Sequence, residues 1–191
     1  MINILLSGVG GQGTVLASKI IAKCAIAHGE TAHTAETIGM AQRGGCVVSH
    51  VRIGDGAYSP LIPHGCADVI IAFEPAEAVR VIPYLKQGGT VIVNTAPTKP
   101  VTDSLSDTAY DAQPMLDYLA STDAEVTAVD GAKIIAACGS AKALNIALLG
   151  AAAKTGTIGV TVSELEQVVR TTLKPAFQEA NLCALYLGAE S

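Results

Sequence analysis

The chain has 191 residues, of which half are hydrophobic and 15% are charged, and its formal net charge is −5; a typical soluble domain is about 25% charged. An acidic balance without a basic stripe argues against a nucleic-acid binder, and no apolar run is long enough for a membrane-spanning helix. The length fits a single domain, residues 1–191, which buries about two-thirds to three-quarters of its unfolded surface and needs no disulfide or metal to fold.

Residues 2–6 (INILL) form a short apolar run ending in Ser-Gly, the pattern of a buried strand. No basic flank precedes it, so no signal peptide is expected. Residues 14–28 place Val15, Ile20, Ile21, Cys24 and Ala25 at helical spacing, and Gly29 stops that helix. A weaker strand at 31–36 completes a βαβ opening. Residues 37–45, with two glycine clusters, read as a loop. Residues 47–53 (VVSHVRI) read as a strand, with a short return strand expected at 57–59 after the Gly54-Asp55-Gly56 turn.

Residues 68–73 (DVIIAF) form the next buried strand. Pro75 suits the first turn of a helix, where its missing N–H costs nothing. That helix is expected to reach Lys86, with Gly88-Gly89 ending it before a strand at 90–94. The stretch 95–111 reads as a loop, 115–120 as a short helix and 125–129 as a final strand. Beyond Asp130 the pattern is helical, with one helix over 141–154. Ser163 and Glu166 match a capping box, and Lys174-Pro175 separates the last two helices. Strands alternating with helices, then helices alone, predict an α/β fold: a Rossmann-like, doubly wound, mostly parallel sheet with a helical C-terminal section.

Gly8-Val9-Gly10-Gly11-Gln12-Gly13 matches G-x-G-x-x-G between a predicted strand and helix. Glycines let the backbone take positive φ and approach a ligand closely, and the helix start favours an anion. Glu36, near the end of the second strand, stands where a dinucleotide enzyme holds its ribose. A second unusual stretch, Gly39 to Gly45, sets Arg43 beside Gly44 and Gly45, where a guanidinium can meet a phosphate or carboxylate without obstruction. Ser49 follows, on the strand face opposite His50 and Arg52. The same residues are also compatible with a ligand-free tight turn, an exposed loop carboxylate and a solubilising arginine.

The five cysteines are scattered, without CxxC or zinc spacing, so a metal or iron–sulfur site held by this chain alone is not expected. The four histidines lack any metal-binding spacing, and Cys46 reads more readily as a small buried thiol than as a nucleophile. No nucleophile elbow or Walker lysine is present. The pattern points to a domain that completes a site rather than one that performs chemistry unaided.

Residues 1–13 (MINILLSGVGGQG), 40–52 (MAQRGGCVVSHVR), 68–75 (DVIIAFEP) and 173–188 (LKPAFQEANLCALYLG) together resemble the gamma-subunit family of the pyruvate, ketoisovalerate and indolepyruvate ferredoxin oxidoreductases. The Gln-Arg-Gly-Gly form is nearest the indolepyruvate type, where the chain is called the beta subunit. The resemblance implies a cytoplasmic subunit of an enzyme that oxidatively decarboxylates a 2-oxoacid, passes electrons to ferredoxin and forms an acyl-CoA. Thiamine diphosphate and iron–sulfur clusters are implied in partner subunits, with coenzyme A bound in the assembled enzyme. It further implies that Gly8, Gly10, Gly11, Gln12, Gly13, Arg43, Gly44, Gly45 and Ser49 face a ligand or a partner. Homodimerisation of the isolated chain stays open. The alternatives are an NAD(P)-dependent dehydrogenase and a nucleotide-sensing scaffold without enzymatic output.

Overall fold

The apolar run at the N-terminus extends to eight residues and becomes β1, Ile2–Val9. The computed structural model describes residues 1–38, 45–56, 58–98 and 110–191. In β1, Ile4 and Leu6 enter one core and Leu5 the other, because strand side chains alternate and both faces of the sheet are covered. The remaining strands are β2 (Ala32–Ile38), β3 (Cys46–Ile53), β4 (Ala67–Ala72), β5 (Leu85–Asn94) and β6 (Glu125–Val129). They form one sheet in the order β2-β3-β1-β4-β5-β6. The pairs β1–β4, β4–β5 and β5–β6 are parallel, whereas β3 is antiparallel to both β1 and β2.

The α/β architecture is as the sequence implies, with one difference in strand order. β2 runs in the direction of β1 but does not lie beside it, because β3 is inserted between them. The composition of the two strands accounts for this. In β2, His33, Thr34, Glu36 and Thr37 are exposed, which suits an edge. In β3, Val47, Val51 and Ile53 are buried, which suits an interior position.

Five helices cover one face of the sheet: α1 (Thr14–Ala27), α4 (Gly131–Cys138), α5 (Leu144–Lys154), α6 (Val162–Thr172) and α7 (Pro175–Ala189). The other face carries α2 (Pro75–Val81) and α3 (Gln113–Ala120). Every residue of α5 from Leu144 to Ala153 is buried. A helix that is apolar all round belongs inside, and α5 lies between the sheet and α7. The two helices approach through glycines. A Cβ on Gly150 would collide with the Leu185 carbonyl, and one on Gly188 with the Ala147 carbonyl.

Local readings differ from expectation at four places. The helix at Pro75 ends at Val81, because Pro83 in the following 3-10 turn (Ile82–Tyr84) cannot continue it. Gly88-Gly89 lies inside β5 instead of ending a helix: Ala67 pairs with Leu85 and Val69 with Thr90, so the intervening residues bulge. The capping box of α6 is Thr161/Glu164, two residues earlier than Ser163/Glu166. Thr161 N–H donates to Glu164 Oε2 at 2.7 Å, and Glu164 N–H donates to Thr161 Oγ1 at 3.3 Å. Glu166 instead accepts from Arg170 and Tyr186. The expected return strand is absent at Tyr58 and Ser59, and Ala57 lies outside the described residues. α4 emerges as a separate helix, capped by Asp130, whose Oδ1 accepts from Lys133 N–H at 3.0 Å, and closed by Gly139 at φ 69°.

On β3, His50 and Arg52 point to the α2 side. His50 Nδ1 accepts the Ile62 N–H at 3.2 Å, and Arg52 Nε donates to Asn3 Oδ1 at 2.9 Å. Burial lowers the His50 pKa below its usual 6.5, because a charged imidazolium is disfavoured out of water.

Two outcomes follow. Gly188→Ala forces α7 off α5 and should cost about 2–3 kcal/mol, a Tm drop of about 5–10 °C in a chain of this size; an unchanged melting curve would refute the glycine contact. His50 stays neutral in the fold while the unfolded chain protonates it below about pH 6.5. Folding stability should therefore decline as pH falls through that value toward the lower folded pKa. In His50→Asn the decline should flatten over this window, as read by thermal melts at stepped pH; identical slopes in both proteins would exclude His50 as its source.

Candidate functional site

The turn after β1 is held by one side chain. Gln12 Oε1 accepts the Val9 N–H at 2.8 Å, and Gln12 Nε2 donates to the Phe73 carbonyl at 3.2 Å and to Thr98 Oγ1 at 3.0 Å. The same amide group thus closes the turn and ties it to the C-terminal end of β4. Gly8 is buried, and a Cβ there would come within 2.9 Å of Phe73 Cβ. Gly11 and Gly13 adopt φ of 102° and 85°, a region that residues with a Cβ rarely occupy. Gly13 is the N-cap of α1 and offers no side-chain acceptor, so the first-turn amides of a 14-residue helix lack a side-chain cap.

Asn145, in the first turn of α5, reaches the same place. Its Nδ2 donates to the Gly13 carbonyl at 3.4 Å, and its Oδ1 accepts the Ile146 N–H at 2.9 Å. Gly11, Gln12, Gly13, Thr98, Lys142 and Asn145 line a cleft of about 490 Å³, with Leu16, Ile135 and Leu144 as its apolar wall. Lys142 is the charged side chain of this lining and is exposed. Among the described residues the lining offers an uncapped helix start and a lysine and no carboxylate, a set that favours an anion. The cleft lies beyond the carboxyl ends of β1 and β4. α1 follows β1 onto one face of the sheet and α2 follows β4 onto the other, so this is the switch point where open α/β sheets bind ligands.

The second glycine stretch meets the first. Gly10 N–H donates to the Gly45 carbonyl at 2.9 Å, so the residue that leads into β3 sits against the turn after β1. Arg43 and Gly44 lie outside the described residues, as do residues 39–42. Ser49 does not join the cleft. It is fully buried on the α1 side of β3, and its Oγ has no hydrogen-bond partner among the described residues. Alternation along β3 buries Ser49 with Val51 and Ile53. Glu36 pairs across the sheet with Ser49, and β3 separates it from β1. The acid is therefore not beside the Gly turn's own strand, as a ribose-binding carboxylate would be.

Beneath the turn lies an acidic group that the sequence reading does not anticipate. Glu74 caps α2 by accepting the Glu77 N–H at 3.0 Å and also accepts the Tyr110 hydroxyl. Glu77 is buried and accepts from Arg80 Nε at 3.1 Å. Burial, together with the Glu77 carboxylate, pushes the Cys46 thiol up to about 12, which leaves it protonated and a poor nucleophile. Among the described residues no group of three or more His, Cys, Asp or Glu is arranged to hold a metal ion, and no helix is long and apolar enough to cross a membrane.

Lys142, Asn145 and Thr98 are absent from the sequence-derived site. Asn145 carried a signal, as a lone amide within the apolar run Leu144–Lys154. Lys142 and Thr98 carried none.

Residues 3–191 match the family model described as pyruvate ferredoxin/flavodoxin oxidoreductase. The chain is 39% identical over 188 residues to a protein of Archaeoglobus fulgidus named indolepyruvate oxidoreductase subunit IorB, covering 98% of this chain and 93% of that one. It is 30% identical over 183 residues to the pyruvate/ketoisovalerate oxidoreductases common subunit gamma of Thermococcus litoralis, covering 95% and 91%. Among solved structures it is similar to the keto/oxoacid ferredoxin oxidoreductase gamma subunit of Geobacter sulfurreducens, at 26% identity and a TM-score of 0.73, covering 100% of this chain and 97% of that one. The chain belongs to the pyruvate ferredoxin/flavodoxin oxidoreductase family, as a gamma-type subunit of a 2-oxoacid:ferredoxin oxidoreductase.

Proposed function

We propose that this subunit serves an indolepyruvate-type enzyme and that the cleft at Gly11–Gly13 holds a phosphate group of coenzyme A. The observation that carries the reading is the convergence of the uncapped start of α1, Lys142 and the Asn145 amide on a cleft that no carboxylate lines among the described residues. The cleft volume of about 490 Å³ is in the range of small-molecule sites. The amides of the α1 first turn would donate to phosphate oxygens, Lys142 would supply charge, and Leu16, Ile135 and Leu144 would pack the ligand's apolar parts. When bound, coenzyme A supplies the thiol that accepts the acyl group. Arg43 and Gly44 extend this surface in the proposal, since Gly45 stands in contact with Gly10.

Carbon chemistry and electron transfer belong, in this reading, to partner subunits carrying thiamine diphosphate and iron–sulfur clusters. This chain's part is binding and orientation. Indolepyruvate is preferred over pyruvate because the identity to indolepyruvate-named subunits, 34–39%, exceeds the 28–30% to the pyruvate/ketoisovalerate gamma subunits. A dinucleotide reading has less support, because β3 separates Glu36 from β1.

The test is the reconstituted complex assayed for 2-oxoacid-dependent ferredoxin reduction and acyl-CoA formation. Lys142→Ala should raise KM for coenzyme A about 3- to 10-fold with kcat nearly unchanged, and Arg43→Ala should weaken acyl-CoA formation. Indolepyruvate should give the highest kcat/KM among aryl, branched and short 2-oxoacids. Unchanged coenzyme A dependence in both variants would remove the cleft assignment; preference for pyruvate would remove the substrate assignment alone.

A further inference from the structure

Two cysteines that are far apart in the chain meet between the C-terminal helices. Cys138 ends α4, Cys183 lies 45 positions later on α7, and their sulfur atoms are 2.7 Å apart. This is inside ordinary sulfur–sulfur contact. Both thiols are reduced and half-buried. No other cysteine pair among the described residues is in hydrogen-bond contact: Cys24 is buried, Cys46 lies against Glu77 and Cys66 is exposed.

Both thiols are partly exposed. A cleft of about 380 Å³ lies nearby, lined by Lys133, Ile134 and Ala137 of α4, by Leu187 of α7 and by its C-cap residue Glu190. Ile134 stands one helical turn before Cys138, and Leu187 one turn after Cys183.

We propose that Cys138 and Cys183 are an oxidation site, closing to a reversible disulfide that staples α4 to α7. With hydrogen peroxide as the oxidant, one thiol loses its proton and the thiolate attacks a peroxide oxygen, giving a sulfenic acid and a hydroxide that takes up that proton as water. The second thiol displaces the sulfenic hydroxyl as a second water. The S–S bond replaces two S–H bonds, and two electrons pass to the peroxide, whose O–O bond is broken. Burial and the neighbouring Cys183 push Cys138 up to about 12, so the reaction is slow at neutral pH.

The staple has a structural consequence. Cys138 is followed directly by Gly139 and Ser140, then by Ala141 and Lys142, which line the cleft at the glycine turn. Cross-linking Cys138 to the buried framework of α7 fixes the segment that carries Lys142. The oxidation state of the pair thereby sets the freedom of one wall of that cleft.

The experiment uses the purified full chain, oxidised with hydrogen peroxide, alkylated and digested with trypsin without reduction. The tryptic peptides 134–142 and 171–191 should appear joined, about 2 Da below their summed mass, and should separate on addition of dithiothreitol. The oxidised chain should melt about 5–10 °C above the reduced chain. Cys138→Ser and Cys183→Ser should lose both the joined peptide and the shift, while Cys66→Ser should keep both. Recovery of the two peptides separately, either alkylated or carrying independent sulfinic acids, would overturn the proposal, as would a Tm shift that persists in Cys138→Ser.

Discussion

The insertion of an antiparallel β3 between β1 and β2 is the constraint from which the rest of the site follows. It reverses the chain direction beside β1, so the start of β3 lies next to the end of β1. Gly45 therefore meets Gly10, 35 positions away in the chain, through a backbone hydrogen bond. The same insertion moves β2 to the edge and takes Glu36 away from the turn. A nucleotide-type motif is retained in its strand–turn–helix setting, while the acid that would complete a ribose site is displaced. In our proposal the motif therefore serves an anion and not a nicotinamide.

The second element of the site is built by packing. α5 is buried along Leu144 to Ala153, and it can sink that deep because Gly150 and Gly188 let α7 close over it at backbone contact. With α5 held against the sheet, Asn145 is delivered to the Gly13 carbonyl across 132 residues of sequence, and the preceding 3-10 turn at Ala141–Ala143 carries Lys142 to the rim of the cleft. Core packing and ligand-facing geometry are thus linked through one helix. A substitution that lifts α7 reaches the cleft without touching it.

Much of this was legible from local pattern. Strand and helix periods located β1, α1, β3 and the helix at Pro75, and alternation placed Ser49 opposite His50 and Arg52. The glycine spacing located the turn. Strand order was not legible, since nothing local in VVSHVRI says that it pairs with β1 in reverse. The Ser49 error has the same root: alternation gives opposite faces without saying which face is sealed by α1. Gly88-Gly89 misled because a glycine pair marks a helix end and a bulge equally well. Thr161 and Ser163 both precede a glutamate by three residues, and only packing chooses between them. Lys142 and Thr98 were invisible because their role depends on the distant Gly11–Gly13 turn.

Hydrogen exchange on the assembled oxidoreductase, with and without coenzyme A, tests the central claim directly. Coenzyme A held in the cleft should slow exchange of the backbone amides at Gly11 to Val15 and at Ala141 to Asn145, with little change on α2 and α3. Protection confined to other parts of the chain, or none in this subunit at all, would contradict it.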